Sequence, residues 1–421
     1  MAIIIPESIT IEYSGGRIEG EISLNRSKSI SNRVLIIRAL ANEKFPIVHL
    51  SDSDDTQTLM QLLSQVQNGT VLDAHHAGTT YRFLCAWLCT QPGTQILTGS
   101  FRMKERPIKA LVDALRSIGA QIEYLEKKGF PPVQIGPPPV EWKSRLSLPA
   151  NISSQYISAL MMIAPVLSHG LEIRMEGVPV SIPYIAMTSA LMHYFGIRVH
   201  WEESVIKIEK GTYQSIPFTV EADWSAASYY YSIAALADEA FIYVDGLNAE
   251  SMQGDSKVVE LMRKFGIETT YSQNGISIEK KGAPNDFFQY DFLYQPDLAQ
   301  TFAVLCGGLG VRGKFTGLQT LRIKETDRIH ALQKELVKVG VQLTKIPLRP
   351  DCEREQEYYS VDGKARYNEE VQIETYHDHR MAMAFAPLAV KFPLRIVHPA
   401  VVSKSYPGFW EDLLSLGFRI R

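Results

Sequence analysis

One junction recurs along this chain: an amphipathic helix runs into a glycine, and an alternating strand follows at once. It is written LRSIGAQIEY, LMHYFGIRVHW, LMRKFGIETTY, LVKVGVQLTKI and LLSLGFRIR around Gly119, Gly196, Gly266, Gly340 and Gly417. Those glycines lie 77, 70, 74 and 77 residues apart. Glycine readily takes the left-handed conformation that closes a helix, and a fixed period means that one supersecondary unit has been reused. A weaker copy, LLSQVQNGTVL around Gly69, stands only 50 residues before Gly119. Roughly 25 residues are therefore missing there, on the repeat logic. Six units, the second truncated between Asp55 and Gly78, account for the 421 residues.

Each unit also carries a helix that is apolar after a polar or charged first turn: SKSISNRVLIIRALA, AGTTYRFLCAWLC, SSQYISALMMIA, DWSAASYYYSIAALA, PDLAQTFAVLCGGL and DHRMAMAFAPLAV. A helix that is apolar all round belongs inside a domain, with its N-terminus alone reaching a surface. Free N–H groups and the dipole at such ends favour anions. The length exceeds what one core fills, about 250–300 residues, so the pattern predicts an α/β chain of two globules with three repeats each. Lys+Arg 43 against Asp+Glu 46 gives a net charge of −3. That excludes a global field for nucleic acid or anionic lipid, and affinity for anions must come from local clusters.

The N-terminus lacks a basic n-region, and the longest apolar run, Tyr156 to Leu167, is interrupted by Ser158 and Pro165. No signal peptide and no membrane span are expected. The first strand is expected within Met1 to about Leu24. Cys85, Cys89, Cys306 and Cys352 form no C-x-x-C pair and read as buried thiols of a reducing cytoplasm. His49, His75, His169 and His193 show no metal-ligand spacing.

Four segments concentrate charge: Ser27 to Arg33, Arg102 to Pro107, Arg322 to Arg328, and His377 to Arg380. The last runs straight into an apolar helix, where charge is costly unless it faces a ligand or a partner. Ser153 and Ser154 open another such helix with two hydroxyls suited to a phosphate. Asp297 opens a further one.

Taken together, SKSISNR, AGTTYR, RMKERP, SSQ, SIPYI, PDLAQT, RIKETDR, TYHDHRMAMAF and SKSYPGFW resemble the 5-enolpyruvylshikimate-3-phosphate synthases over essentially the whole chain. The resemblance implies an inverted α/β barrel-like fold of two domains, each of three βαβαββ units. Residues 1–24 and 222–421 would form one domain and 25–221 the other, with the active site in the cleft between them. It implies transfer of the enolpyruvyl group of phosphoenolpyruvate to the 5-hydroxyl of shikimate 3-phosphate, with loss of phosphate, in a cytoplasmic monomer without metal or cofactor that glyphosate inhibits.

By the same likeness, Lys28, Ser29 and Arg33 contact the ring and carboxylate of shikimate 3-phosphate, Ser153, Ser154 and Ser181 hold its phosphate, and Tyr184 and Thr320 join them. Gln155 would lie between the substrates. Asp297 would be the base on the attacking hydroxyl, with Lys324 beside it, and Glu325 would exchange a proton with the methylene carbon. Lys28 and His379 complete the catalytic set. His76, Gly78, Arg106, Arg328, Arg380 and Lys404 would grip phosphoenolpyruvate.

Such substrates bring about six negative charges. Seven cations meet them, namely Lys28, Arg33, Arg106, Lys324, Arg328, Arg380 and Lys404, and like charges would force the empty site apart. The chain departs from the family pattern in four places. Asn25-Arg26 replaces Pro-Gly, His76 and Thr320 each replace an Asn, and Phe83 replaces the Pro of Arg-Pro-Leu. Two rivals are a non-catalytic anion-binding relative and, less favoured, a UDP-N-acetylglucosamine enolpyruvyl transferase. The latter would need a reactive loop cysteine, whereas Cys85 and Cys89 sit in an apolar helix.

Overall fold

A computed structural model of the chain describes residues 6–347, 357–369 and 371–421. It divides into two compact units. Unit 1 is the chain up to Asn25 together with Glu221–Arg421, and unit 2 is Arg26–Val220. Cys352 lies outside the described residues, as do Met1 to Ile5 of the expected first strand. The rest of that segment forms two strands, Ser8–Glu12 and Arg17–Ser23, which belong to different sheets.

The repeat is written in the strand order. Phe287–Asp291 pairs in parallel with Arg312–Thr316, which pairs antiparallel with Tyr358–Gly363, and Val341–Ile346 takes the outer edge. A parallel pair needs a crossover, and the helix Ala299–Leu309 provides it. Four more sheets follow the same order. In one of them Arg17–Ser23 is parallel to Glu239–Asp245, so this pair is formed after the chain has left unit 1 and returned. In another, Ser8–Glu12 pairs with both Leu394–Val397 and Arg419–Ile420, which brings the two ends of the chain into one sheet.

All six junction glycines have positive φ, between 76° and 117°. At Gly266 a side chain would also collide with the carbonyl oxygen of Gly282. The strands that follow Gly119, Gly196, Gly266 and Gly340 enter antiparallel hairpins. The strand after Gly69 does not. There the helix Asp54–Gln65 leads directly into Val71–Asp73, the first parallel strand of the next sheet. The unit so shortened holds only Ile47–Val48 paired with Phe218–Thr219. The missing residues are therefore one hairpin, lost from the interval the short spacing had marked.

The six apolar helices are α1 (Lys28–Leu40), α2 (Gly78–Leu88), α3 (Ser154–Ile163), α4 (Trp224–Leu236), α5 (Ala299–Leu309) and α6 (His379–Phe385). In unit 2, α1, α2 and α3 pack on one another. In unit 1, α5 packs on both α4 and α6. Every residue of α4 and α6 is buried, and in α2 and α3 only Thr79 and Gln155 are not. Burial of this extent contributes about 1.5–3 kcal/mol per large apolar side chain and fixes the helix starts as rigid platforms. No helix among the described residues is long and apolar enough to cross a membrane.

Four histidines find their explanation here. His49, His75, His377 and His398 have φ between 49° and 59° and stand just past strands Ile47–Val48, Val71–Asp73, Gln372–Ile373 and Leu394–Val397. Histidine is among the residues enriched in this left-handed region, so these positions are backbone corners that turn the chain toward a helix start.

Candidate active site

Unit 1 gathers its charge where α4, α5 and α6 begin, and an aspartate stands at each start. Asp223 accepts from the N–H of Ser225 and Ala226, and Asp378 accepts from that of Arg380. Asp297 lies in the single turn Pro296–Leu298 that leads into α5. Asp223 and Asp378 thus satisfy the N-termini of α4 and α6 internally, and side-chain cations carry the attraction for anions there.

Arg328 is buried and central. Its Nε and Nη2 make a fork on Asp378, at 2.7 Å and 3.2 Å, while Nη2 also reaches Glu325 at 3.0 Å and Nη1 reaches Asp297 at 3.2 Å. Arg380 donates from Nη2 to Asp297 at 2.8 Å and from Nη1 to Tyr229 Oη at 3.3 Å. Lys324 stands 3.7 Å from Asp297, and Lys404 donates to Glu325 at 2.9 Å. Burial alone would raise the Asp297 carboxyl. Arg380, Lys324 and Arg328 overcome that and hold it far below the usual range. Burial pulls the Lys324 ammonium down, partly offset by Asp297. Burial lowers Arg328 too, but Asp378, Glu325 and Asp297 hold it above its ordinary value.

Unit 2 presents hydroxyls and amides instead. Ser27 caps α1, accepting from Ile30 at 3.4 Å, and Ser153 caps α3, accepting from the N–H of Gln155 at 3.4 Å. Lys28, the first residue of α1, pairs with the buried Asp55 at 3.0 Å. Gln155 bridges the starts of two helices: its Nε2 donates to Thr79 at 3.0 Å and its Oε1 accepts from Arg82 at 2.6 Å. Gly78 lies against both guanidinium groups, since a methyl there would come within 2.5 Å of Arg106 Nη1 and 2.8 Å of Arg82 Nη1. Gly78, Thr79, Arg82, Arg106 and Gln155 thus form one cationic, amide-lined corner.

Within unit 1 the structure brings together Asp297, Lys324, Glu325, Arg328, Arg380 and Lys404, all named by sequence, and His379 lies 3.8 Å from the Asp378 carboxylate. Within unit 2 it brings Gly78, Arg106 and Gln155 together. Of the dense Arg102 to Pro107 turn, only Arg106 among the cations is buried; Arg102 and Lys104 pair at the surface with Glu105 and Glu126. Arg33 is fully buried, and its N–H groups go to Thr188 Oγ1, Ser158 Oγ and the carbonyls of Ser29 and Tyr184. Its guanidinium lies 5.3 Å from the Phe83 ring centroid, and burial lowers its pKa to about 10. Ser181 has φ 54° at the start of the helix Ile182–Tyr194. His76 is exposed. The Thr320 hydroxyl is buried without a hydrogen-bond partner among the described residues.

Several residues escaped the sequence reading: Asp55, Thr79, Arg82, Tyr229, and Asp378 as the partner of Arg328. Asp255 did as well. It is buried on Ser225 Oγ, and burial followed by the nearby Asp297 pushes its carboxyl up to about 7. One signal was available, because a buried cation implies an acid to pair with it. Within unit 1, carboxylates interleave with the clustered cations.

A family model described as EPSP synthase (3-phosphoshikimate 1-carboxyvinyltransferase) matches residues 13–69 and 64–413. The chain belongs to the EPSP synthase family. A 3-phosphoshikimate 1-carboxyvinyltransferase of Bacteroides fragilis is 47% identical over 408 residues, covering 96% of this chain and 97% of the relative. Another from Sulfurovum sp. is 36% identical, covering 95% and 97%. A solved EPSP synthase of Acinetobacter baumannii superposes with a TM-score of 0.78 at 19% identity, covering 99% of this chain and all of that one. The EPSP synthase fold is thus shared far beyond the reach of sequence identity. The family's two-domain inverted α/β architecture is the one the resemblance implies, and its two domains agree with the two globules expected from the repeats.

Proposed function

We infer that the chain transfers the enolpyruvyl group of phosphoenolpyruvate to the 5-hydroxyl of shikimate 3-phosphate and releases phosphate, as a transferase of aromatic amino-acid biosynthesis. The observation that carries this reading is the carboxylate Asp297 held by one N–H donor from each of two guanidinium groups, Arg328 and Arg380, with Lys324 and Glu325 beside it. Asp297 stays ionised but is a weak base while Arg328 and Arg380 hold it. Carboxylate and phosphate oxygens of phosphoenolpyruvate match those guanidinium groups. When they take the arginines, Asp297 is released to accept the proton of the 5-hydroxyl, and Lys324 steadies the oxygen. Glu325 gives a proton to the methylene carbon as the C–O bond forms, then removes one from the resulting methyl group as the C–O bond to phosphate breaks. Lys28, Ser29 and Arg33, with Ser153, Ser154 and Ser181, hold shikimate 3-phosphate.

Turnover in D₂O tests the role of Glu325. The wild type is expected to place deuterium in the vinyl group of the product and in recovered phosphoenolpyruvate. Glu325→Gln is expected to lower kcat by roughly 10²–10³-fold, the usual worth of a general acid–base group, with substrate affinities changed far less. Equal losses of affinity and rate would remove the proton-transfer role.

Glyphosate is expected to inhibit by occupying the corner at Gly78. Gly78→Ala would drive a methyl into Arg106 and Arg82. The expected result is a glyphosate inhibition constant raised by at least about tenfold, with a smaller rise in the phosphoenolpyruvate KM, since an overpacked contact costs about 1–3 kcal/mol. Unchanged inhibition would show that glyphosate does not bind there. Cys85, Cys89 and Cys306 are buried and burial raises their thiols, which fits the reducing cytoplasm where we place the enzyme, as a monomer.

A further inference from the structure

Lys404 sits at the end of the short helical turn Pro399–Lys404, and its position depends on how that loop is tied down. Behind it, Trp410 Nε1 donates to the Pro399 carbonyl at 3.0 Å. Ahead of it, the Tyr406 hydroxyl is held by Tyr230 Oη at 2.8 Å and by Asp412. The N–H groups of Ser405 and Tyr406 both turn back to the Val402 carbonyl. A further tie is to Asn25, whose Nδ2 donates to the Ser405 carbonyl at 2.6 Å.

Asn25 is itself fixed, because its own carbonyl accepts from the N–H of Asp223 at 3.0 Å, and Asp223 caps α4. One residue therefore joins the exit of strand Arg17–Ser23, the start of α4 and the loop that carries Lys404. It lies three residues before Lys28 in sequence. We propose that Asn25 is a positioning residue for Lys404: its amide clamps the peptide after that lysine and keeps Nζ aimed at Glu325. A side chain without a donor, such as that of alanine, could not make this tie.

For its activity arm the proposal rests on the function inferred above, so the test has two arms. In the first, the folded wild type and Asn25→Ala are treated with acetic anhydride, and acetylation of Lys404 is followed by peptide mass spectrometry against exposed lysines. The Lys404 side chain is only 7% exposed, and its modification is expected to rise about fivefold in the variant, the factor one hydrogen bond is worth. In the second arm, the phosphoenolpyruvate KM rises by about five- to tenfold on the same reasoning, while the KM for shikimate 3-phosphate stays within about twofold. In a Lys404→Met background Asn25→Ala adds nothing to that KM, as coupled sites require. Should Asn25→Ala fold poorly, Asn25→Ser serves instead.

Wild-type acetylation of Lys404 in a folded variant would overturn the proposal. So would an equal effect of Asn25→Ala with and without Lys404. A wild type that does not turn over, alongside a rise in Lys404 acetylation, would overturn the activity reading and leave the clamp standing.

Discussion

Asp297→Asn is expected to lower kcat by roughly 10³-fold, within the range for removal of a general base. The amide keeps the shape of the side chain, and its oxygen still accepts from one of the two arginines, while its NH2 group faces the one that donated to the other carboxylate oxygen. What it loses is the charge that those arginines and Lys324 hold in the ionised form and the capacity to take a proton. Affinity for shikimate 3-phosphate, measured by calorimetry, should change by less than about tenfold, because in this account Asp297 acts on the hydroxyl and not on the phosphate. A kcat within tenfold of the wild type would show that the base lies elsewhere.

Asp378→Ala is expected to have the largest effect on stability, about 3–5 kcal/mol. It strips the fork partner from a buried guanidinium, the costly way to break a buried pair. It also removes the cap of α6, worth about 1 kcal/mol. Thermal unfolding should fall by about 10 °C at the entropy of a domain this size. Glu105→Ala is the matched control, since its pair with Arg102 is about half exposed and such pairs contribute about 0–1 kcal/mol. A variant as stable as this control would mean that Asp378 is not what balances Arg328. Activity of the surviving folded fraction should fall as well, because Arg328 would lose its fork and be held only by Glu325 and Asp297.

The sequence made the periodic features plain and hid the pairings. Glycines with positive φ and helices buried on all sides leave a trace at every repeat, so the six units and the truncated interval could be read directly. What the shortfall removed became visible only in the strand order, where the helix Asp54–Gln65 runs into a parallel strand without the hairpin the other units have. The cations at helix starts stood out because charge beside an apolar run is expensive. Their acidic partners did not, since Asp55 and Asp255 lie in ordinary polar stretches and meet Lys28 and Ser225 only through tertiary contact. Asp378 was visible in its motif, yet a helix cap explains an aspartate there just as well, and it proves to do both jobs. Arg33 was legible as a cation at a helix start, but its partners were not: it lies one turn along α1, buried among neutral acceptors and beside the Phe83 ring.

The central claim is that this chain joins phosphoenolpyruvate to shikimate 3-phosphate. Phosphate release from phosphoenolpyruvate by purified protein, with and without shikimate 3-phosphate, tests it most directly. The account predicts release that requires both substrates and a product carrying the enolpyruvyl ether at the 5-position. Shikimate 3-phosphate that binds without any dependent phosphate release would contradict it, and would make the chain an anion-binding relative that keeps the fold without the reaction.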